Sequence, residues 1–259
     1  MDSDWFYNDK NFSLVTISAF DKVSLNAYLH NENSNIYVIY AHGYMGEPNE
    51  KTRILKEIAF ANSSNILIVE QRGQQNNRAK YCTMGINEAF DIQSWIDFII
   101  NNNPNAKIIL YGQSMGAATI MNCFNLNLPS NIVGAIEDCG YVNLRDQFVF
   151  SGTGYGPKWF LKFICSLMCF LYLFHGANHY KMKQTKALSK VNVSFLAIQG
   201  DQDEVVDYKN LSLVEKYINK NVYFQKEVFH EAKHAVSAAK DMDRYMKIVN
   251  TFISKICLK

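Results

Sequence analysis

Hydrophobic positions along the chain fall into two kinds of run that take turns. "SLVTIS" and "VSLNAYLH" partly alternate apolar with polar residues around a polar turn at Asp21 and Lys22, which predicts two strands. The next runs, "NIYVIYAHGY", "NILIVEQRG", "AKIILYGQ" and "NIVGAIEDCG", are short and β-branched or aromatic, with few polar residues inside them. "VNVSFLAIQG" and "NVYFQKEVFH" continue the series toward the C-terminus. Between them lie segments with apolar residues at helical spacing: "KTRILKEIAFANSS", "INEAFDIQSWIDFIINNN" ending before Pro104, "MGAATIMNCFNLN", "YKNLSLVEKYIN" and "DMDRYMKIVNTFISKI". Apolar strands separated by amphipathic helices predict an α/β fold with a mostly parallel sheet buried on both faces.

The alternation stops after the sixth strand and resumes fifty residues later. This predicts a core made of residues 1–140 and 191–259, interrupted by an insertion over 141–190. The centre of the insertion, "KWFLKFICSLMCFLYLFHG", is the most apolar passage of the chain. Between Lys162 and His175 it is too short to span a bilayer, which needs about 20 apolar residues. A helical cap over the C-terminal edge of the sheet is expected, with apolar side chains over a substrate, in preference to a surface that docks on a membrane or a partner.

Composition acts mainly by exclusion. With 48% hydrophobic and 19% charged residues, the chain has the material for one globular domain with a sizeable core. Its formal net charge is +2, and no long basic run is interleaved with aromatics, so nucleic acid is not an expected partner. "MDSDWFYNDKNF" is acidic and polar where a secretory signal would need a basic start and an apolar stretch, and a cytoplasmic location is expected. The six cysteines are then expected to be reduced and mostly buried. Cys165 with Cys169 and His175 with His179 have a spacing from which four ligands could close a tetrahedral zinc site. The intervening "FLYLF" has the composition of a packed helix instead, and neither a metal nor another cofactor is expected.

Ligands of an open parallel sheet bind outside the carboxyl ends of its strands, where several polar residues of this chain fall. Ser114 follows "IILYG" and opens a helix, with Gly112 and Gly116 on either side. A tight strand-to-helix turn needs small neighbours because the helix passes close to the strand, and it holds the serine oxygen out at the top of the sheet. A serine hydroxyl is a weak nucleophile near neutral pH, so it needs a base and a third group that orients the base. His234 and His230 are the candidate bases beyond the last strand, and Asp203, Asp201 and Asp138 are the candidate acids beyond other strand ends.

"AHGY", "GQSMGAAT", "EDCGY", "QGDQDEVV" and a late histidine, in that order, resemble the markers of the α/β-hydrolase family over nearly the whole chain. The chain is most similar to small bacterial hydrolases of the esterase and acyl-peptidase-like branch. The resemblance implies an eight-stranded, mostly parallel sheet with a cap inserted after the sixth strand. It also implies a triad of Ser114, His234 and Asp203, since the family acid falls three residues after a glycine, here Gly200, and ahead of Val206. Asp201 is then a turn residue, with Asp138 the remaining rival for the acid. The backbone amides of Met115 and Tyr44 would form the oxyanion hole, with His42 bracing the loop at Gly43. Relatives carry Arg-Gly-His-Gly-x-Ser after the fourth strand, whereas "QRGQQNNRA" keeps Arg72 and Gly73 and puts Gln75 in place of a glycine, which alters loop shape without touching the triad. The expected reaction is hydrolysis of small-molecule carboxylic esters with hydrophobic acyl or aryl groups. Thioesters, peptides or amides are the alternatives within the enzyme class, and a non-catalytic binding protein is the alternative outside it.

Overall fold

The computed structural model describes residues 3–74, 77 and 79–257. A first helix, α1 (Ser3–Asn8), precedes β1 (Phe12–Ser18) and β2 (Ser24–His30), which pair antiparallel across the Asp21–Lys22 turn. The alternation then runs β3 (Ile36–Ala41), α2 (Thr52–Asn62), β4 (Asn65–Val69), α3 (Asn87–Asn102), β5 (Lys107–Gln113), α4 (Met115–Cys123) and β6 (Ile132–Asp138). Three helices follow: α5 (Leu144–Ser151), α6 (Lys158–Leu173) and α7 (Gln184–Leu188). The chain closes with β7 (Ser194–Gly200), α8 (Lys209–Tyr217), β8 (Phe224–Phe229), α9 (Ser237–Lys240) and α10 (Met242–Cys257).

These strands make one eight-stranded sheet in the order β1-β2-β4-β3-β5-β6-β7-β8. Only β2 runs against its neighbours; every pair from β4 to β8 is parallel. Alternate strand residues point to opposite faces, so each face has its own core. Tyr40, Ile68, Tyr111 and Ile198 meet α1, α2 and α10 on one side, and Ile39, Leu67, Leu110 and Ala197 meet α3, α4 and α8 on the other. Helix α10 shows why the spacing was readable: Tyr245, Val249, Phe252, Ile253 and Ile256 form one buried stripe.

Three expectations need correction or completion. The polar N-terminal stretch forms α1, whose Trp5 and Phe6 are buried, in a segment too short to show periodicity. His30, the polar last residue of the predicted strand "VSLNAYLH", ends β2 and is fully buried, its ring 4.7 Å from that of Trp5 and 4.8 Å from that of Phe12. The apolar centre of the insertion is helical, as α6, but it buries only Leu161, Cys165 and Cys169. Pro157 precedes the first residue of α6, and the Asn143 side chain caps α5 by accepting from the amides of Arg145 and Asp146.

The four zinc candidates are not brought together. Cys165 and Cys169 face inward from α6, the His175 ring lies 4.1 Å from that of Tyr81, and His179 Nε2–H donates to the Thr83 carbonyl at 3.0 Å. Burial pushes the His179 imidazole down to about 4, so it is neutral in this contact. Beside it, the loop after β4 is anchored by Arg72, whose Nε donates to Asp91 on α3 at 2.7 Å and whose Nη1 donates to Asp21 at 2.8 Å. Gln75, the departure from the family pattern in this loop, lies outside the described residues.

Candidate active site

The turn from β5 into α4 sets the site. Ser114 stands there at φ 56° and ψ −117°, a strained combination for a residue with a side chain. The glycines on either side are required by close approach: a Cβ on Gly116 would run into the Ala41 carbonyl of β3, and one on Gly112 into the Gly116 carbonyl. The Ser114 amide donates to the Asp138 carbonyl at 2.8 Å, and its own carbonyl accepts from Ala118 at 3.0 Å, which fixes the turn from both sides.

His234 Nδ1 lies 2.8 Å from Asp203 Oδ2, and His234 Nε2 lies 2.9 Å from Ser114 Oγ. An ionised carboxylate only accepts, so Nδ1 carries the proton and Nε2 is free to accept from the serine hydroxyl. The other Asp203 oxygen accepts from the amides of Val205 (2.9 Å) and Val206 (2.8 Å). This is the physical content of the Gly-x-x-Asp-x-x-Val spacing. Val206 is buried beside Met115 and locks the acid's loop, while Gly200 lets the loop carrying His234 pass close, since a Cβ there would strike the Ala232 carbonyl. Lys51 supports the same loop by donating to the Ala235 carbonyl at 2.9 Å.

The rival residues sit elsewhere. His230 is exposed and pairs with Asp201 (2.9 Å), whose other oxygen accepts from the Glu231 amide, so Asp201 is the turn residue expected. Asp138 accepts from Tyr245 Oη (2.9 Å) and Gln113 Nε2 (3.2 Å), turned toward α10 and not toward the imidazole. Cys139 Sγ lies within 4.8 Å of ligand atoms of Asp203 and His234. Burial, and then the neighbouring carboxylates of Asp138, Asp203 and Glu137, push that thiol well up, so it stays protonated.

A second layer holds the loop after β3. His42 is fully buried; its Nδ1–H donates to the Gly43 carbonyl (2.8 Å) and its Nε2 accepts from the Gln71 amide (3.2 Å). Burial lowers its pKa, so the ring is neutral and acts as a brace. The Gln71 side chain donates to the His42 carbonyl and accepts from Thr119 Oγ1 (3.2 Å), which joins this loop to α4. A Cβ on Gly43 would sit 3.4 Å from the Ser114 Cβ, so the backbone leading into Tyr44 runs along the serine. Met115 opens α4, and the first four amides of a helix have no intrahelical acceptor. Thr119 ends the "GQSMGAAT" marker and Gln71 precedes Arg72, but only the contact across the sheet top reveals their part.

Next to the elbow, Glu137 is fully buried, with its Oε2 accepting from the Gly140 amide at 2.9 Å. Burial pushes this carboxyl up to about 8. Below about pH 4.5 the group is protonated in both folded and unfolded chains. Above it the unfolded chain releases a proton that the folded chain keeps until about pH 8, so stability falls as pH rises between these limits. Glu137→Gln is therefore expected to flatten the decline across this window. Urea titrations of both proteins at pH 5 and pH 8 check it; parallel pH profiles would contradict it.

The sheet order, the strained elbow and the Ser-His-Asp arrangement define a serine hydrolase of the α/β-hydrolase fold. Residues 34–258 match the prolyl oligopeptidase family, and the chain belongs to it. Among solved structures it is similar to the Pyrococcus furiosus esterase Pf2001, at a TM-score of 0.74 and 21% identity, covering 95% of this chain and 92% of that one. It is also similar to the α/β hydrolase GrgF from Penicillium sp. sh18, at a TM-score of 0.72 and 11% identity over 95% and 98% of the two chains. The Mycobacterium tuberculosis puromycin-hydrolyzing peptidase follows at 0.71 and 14%, covering 95% of this chain and 39% of that one. At these identities the likeness carries the fold. No curated protein matches the chain.

Proposed function

We propose that the chain hydrolyses carboxylic esters of small molecules, with hydrophobic acyl or aryl groups, through an acyl-enzyme. The carrying observation is the unbroken hydrogen-bonded line from Ser114 Oγ through His234 to Asp203. In this reading Ser114 attacks the carbonyl while His234 Nε2 takes its proton and then gives it to the leaving alkoxide. Asp203 orients the imidazole and stabilises its charged form. The amides of Met115 and Tyr44 hold the oxyanion, and water attacks the acyl-enzyme with His234 again as base. Residues 141–190 act as the cap, and the apolar cluster of Met115, Tyr141, Leu144, Cys165 and Val206 supports an apolar wall for the acyl group. A cavity of about 410 Å³ is lined by Val142, Leu144, Cys165 and Cys169 among others and by none of the three triad residues.

The family match favours one second reading, cleavage of peptides or amides by the same groups. Nitrophenyl esters from acetate to laurate, run beside aminoacyl nitroanilides, separate the two. Esters are expected to turn over faster, with kcat/KM rising about tenfold from acetate to the medium chains as apolar surface is buried. Faster nitroanilide cleavage would favour the peptidase reading, and a flat chain-length profile would remove the apolar wall.

A further inference from the structure

Helix α6 carries a second apolar stripe on the face opposite its buried one. Leu161, Cys165 and Cys169 turn inward, whereas Trp159, Phe163, Leu167, Phe170 and Phe174 follow helical spacing along the outside. These five are between 45% and 73% exposed. Together they leave apolar surface on the order of 500 Å² in water, a size that marks an interaction site on a monomer.

Charge identifies what covers the stripe. From 147 to 200 the chain has no Asp or Glu but six lysines, Lys158, Lys162, Lys181, Lys183, Lys186 and Lys190, in a chain whose net charge is only +2. All six are exposed, and none forms an ion pair with a described residue. A second copy seated on the stripe would bring two such basic clusters together, whereas an anionic surface would neutralise them. Among the described residues no helix is long and apolar enough to cross a membrane, and the 16 residues of α6 reach about 24 Å. A helix of that length with aromatic residues on its outer face and Lys158 and Lys162 in its first two turns can lie in the headgroup region.

We propose that α6 docks the protein on an anionic lipid bilayer, its outer stripe entering the headgroup boundary and its own Lys158 and Lys162 pairing with acidic headgroups. The buried face of the same helix packs against α5 and shares one buried apolar cluster with Met115, the residue after Ser114, so docking brings the reaction site toward the lipid surface.

Tryptophan fluorescence offers a direct probe, because of the three tryptophans Trp5 and Trp95 are buried and Trp159 is 72% exposed. The full chain is mixed with vesicles of phosphatidylcholine alone or with 30% phosphatidylserine. Co-sedimentation and a blue shift are expected with the anionic vesicles, with binding weakened roughly tenfold on neutral ones. The F163Q/F170Q variant, changed only at exposed positions, should lose binding, and Lys158→Gln with Lys162→Gln should lose the preference for anionic lipid. Ser114→Ala should bind as the wild type does, so the docking result stands apart from the esterase reading. Neither sedimentation nor a shift on either vesicle would overturn the proposal, as would a dimer in light scattering that F163Q/F170Q dissolves.

Discussion

Ser114→Ala is expected to lower kcat/KM for a nitrophenyl ester by roughly ten-thousand-fold or more, with an unchanged circular dichroism spectrum. The hydroxyl is the only group on the elbow that can attack a carbonyl, and its proton has an acceptor at 2.9 Å in His234 Nε2. His234→Ala should cost about as much, and the double variant little more, since the groups act as a unit. Asp203→Asn should cost roughly ten-thousand-fold, because an amide facing Nδ1 can donate and so stabilise the wrong tautomer. Its expected signature is a loss in kcat with KM little changed. A similar loss in Asp138→Asn, with Asp203→Asn near wild type, would return the acid's role to the residue after β6.

Arg72→Met is expected to produce the largest loss of stability, about 3–5 kcal/mol, lowering the thermal midpoint by roughly 10 °C. Burial opposes charge on this guanidinium, but hydrogen bonds and charge from Asp91 and Asp21 outweigh it and raise its pKa above the ordinary arginine value. Methionine keeps much of the volume and removes the cation, leaving the buried carboxylate of Asp91 without its partner. Arg72→Met with Asp91→Leu should recover most of the loss, because replacing both members of a buried pair is often near neutral. Calorimetry of the wild type, both single variants and the double variant measures the coupling. Additive losses would show that Arg72 acts through packing alone.

The sheet was legible in the sequence because strands buried on both faces are apolar throughout and the helices between them keep one stripe. The elbow was legible because Gly112 and Gly116 are demanded by backbone contacts that no other residue allows. The choice of Asp203 over Asp201 and Asp138 came from the family spacing, and its physical basis is the pair of amides at Val205 and Val206. Helix α1 and the buried His30 escaped because a six-residue helix shows no periodicity and a histidine ending a strand reads as polar. His42 was expected to brace its loop, but its partners Gln71 and Thr119 escaped for another reason: they come from separate elements and meet it only in the fold. The outward stripe of α6 was visible as apolar residues, but which of them face water depends on what packs beneath, which spacing alone does not tell.

Covalent labelling with a fluorophosphonate, read by intact mass and peptide mapping, tests the central claim most directly. A serine hydroxyl made nucleophilic by His234 displaces fluoride from phosphorus, while an ordinary surface serine does not. The wild type is expected to gain one adduct, mapped to Ser114, and Ser114→Ala none. A wild type that stays unlabelled, or an adduct that persists in Ser114→Ala, would contradict the account.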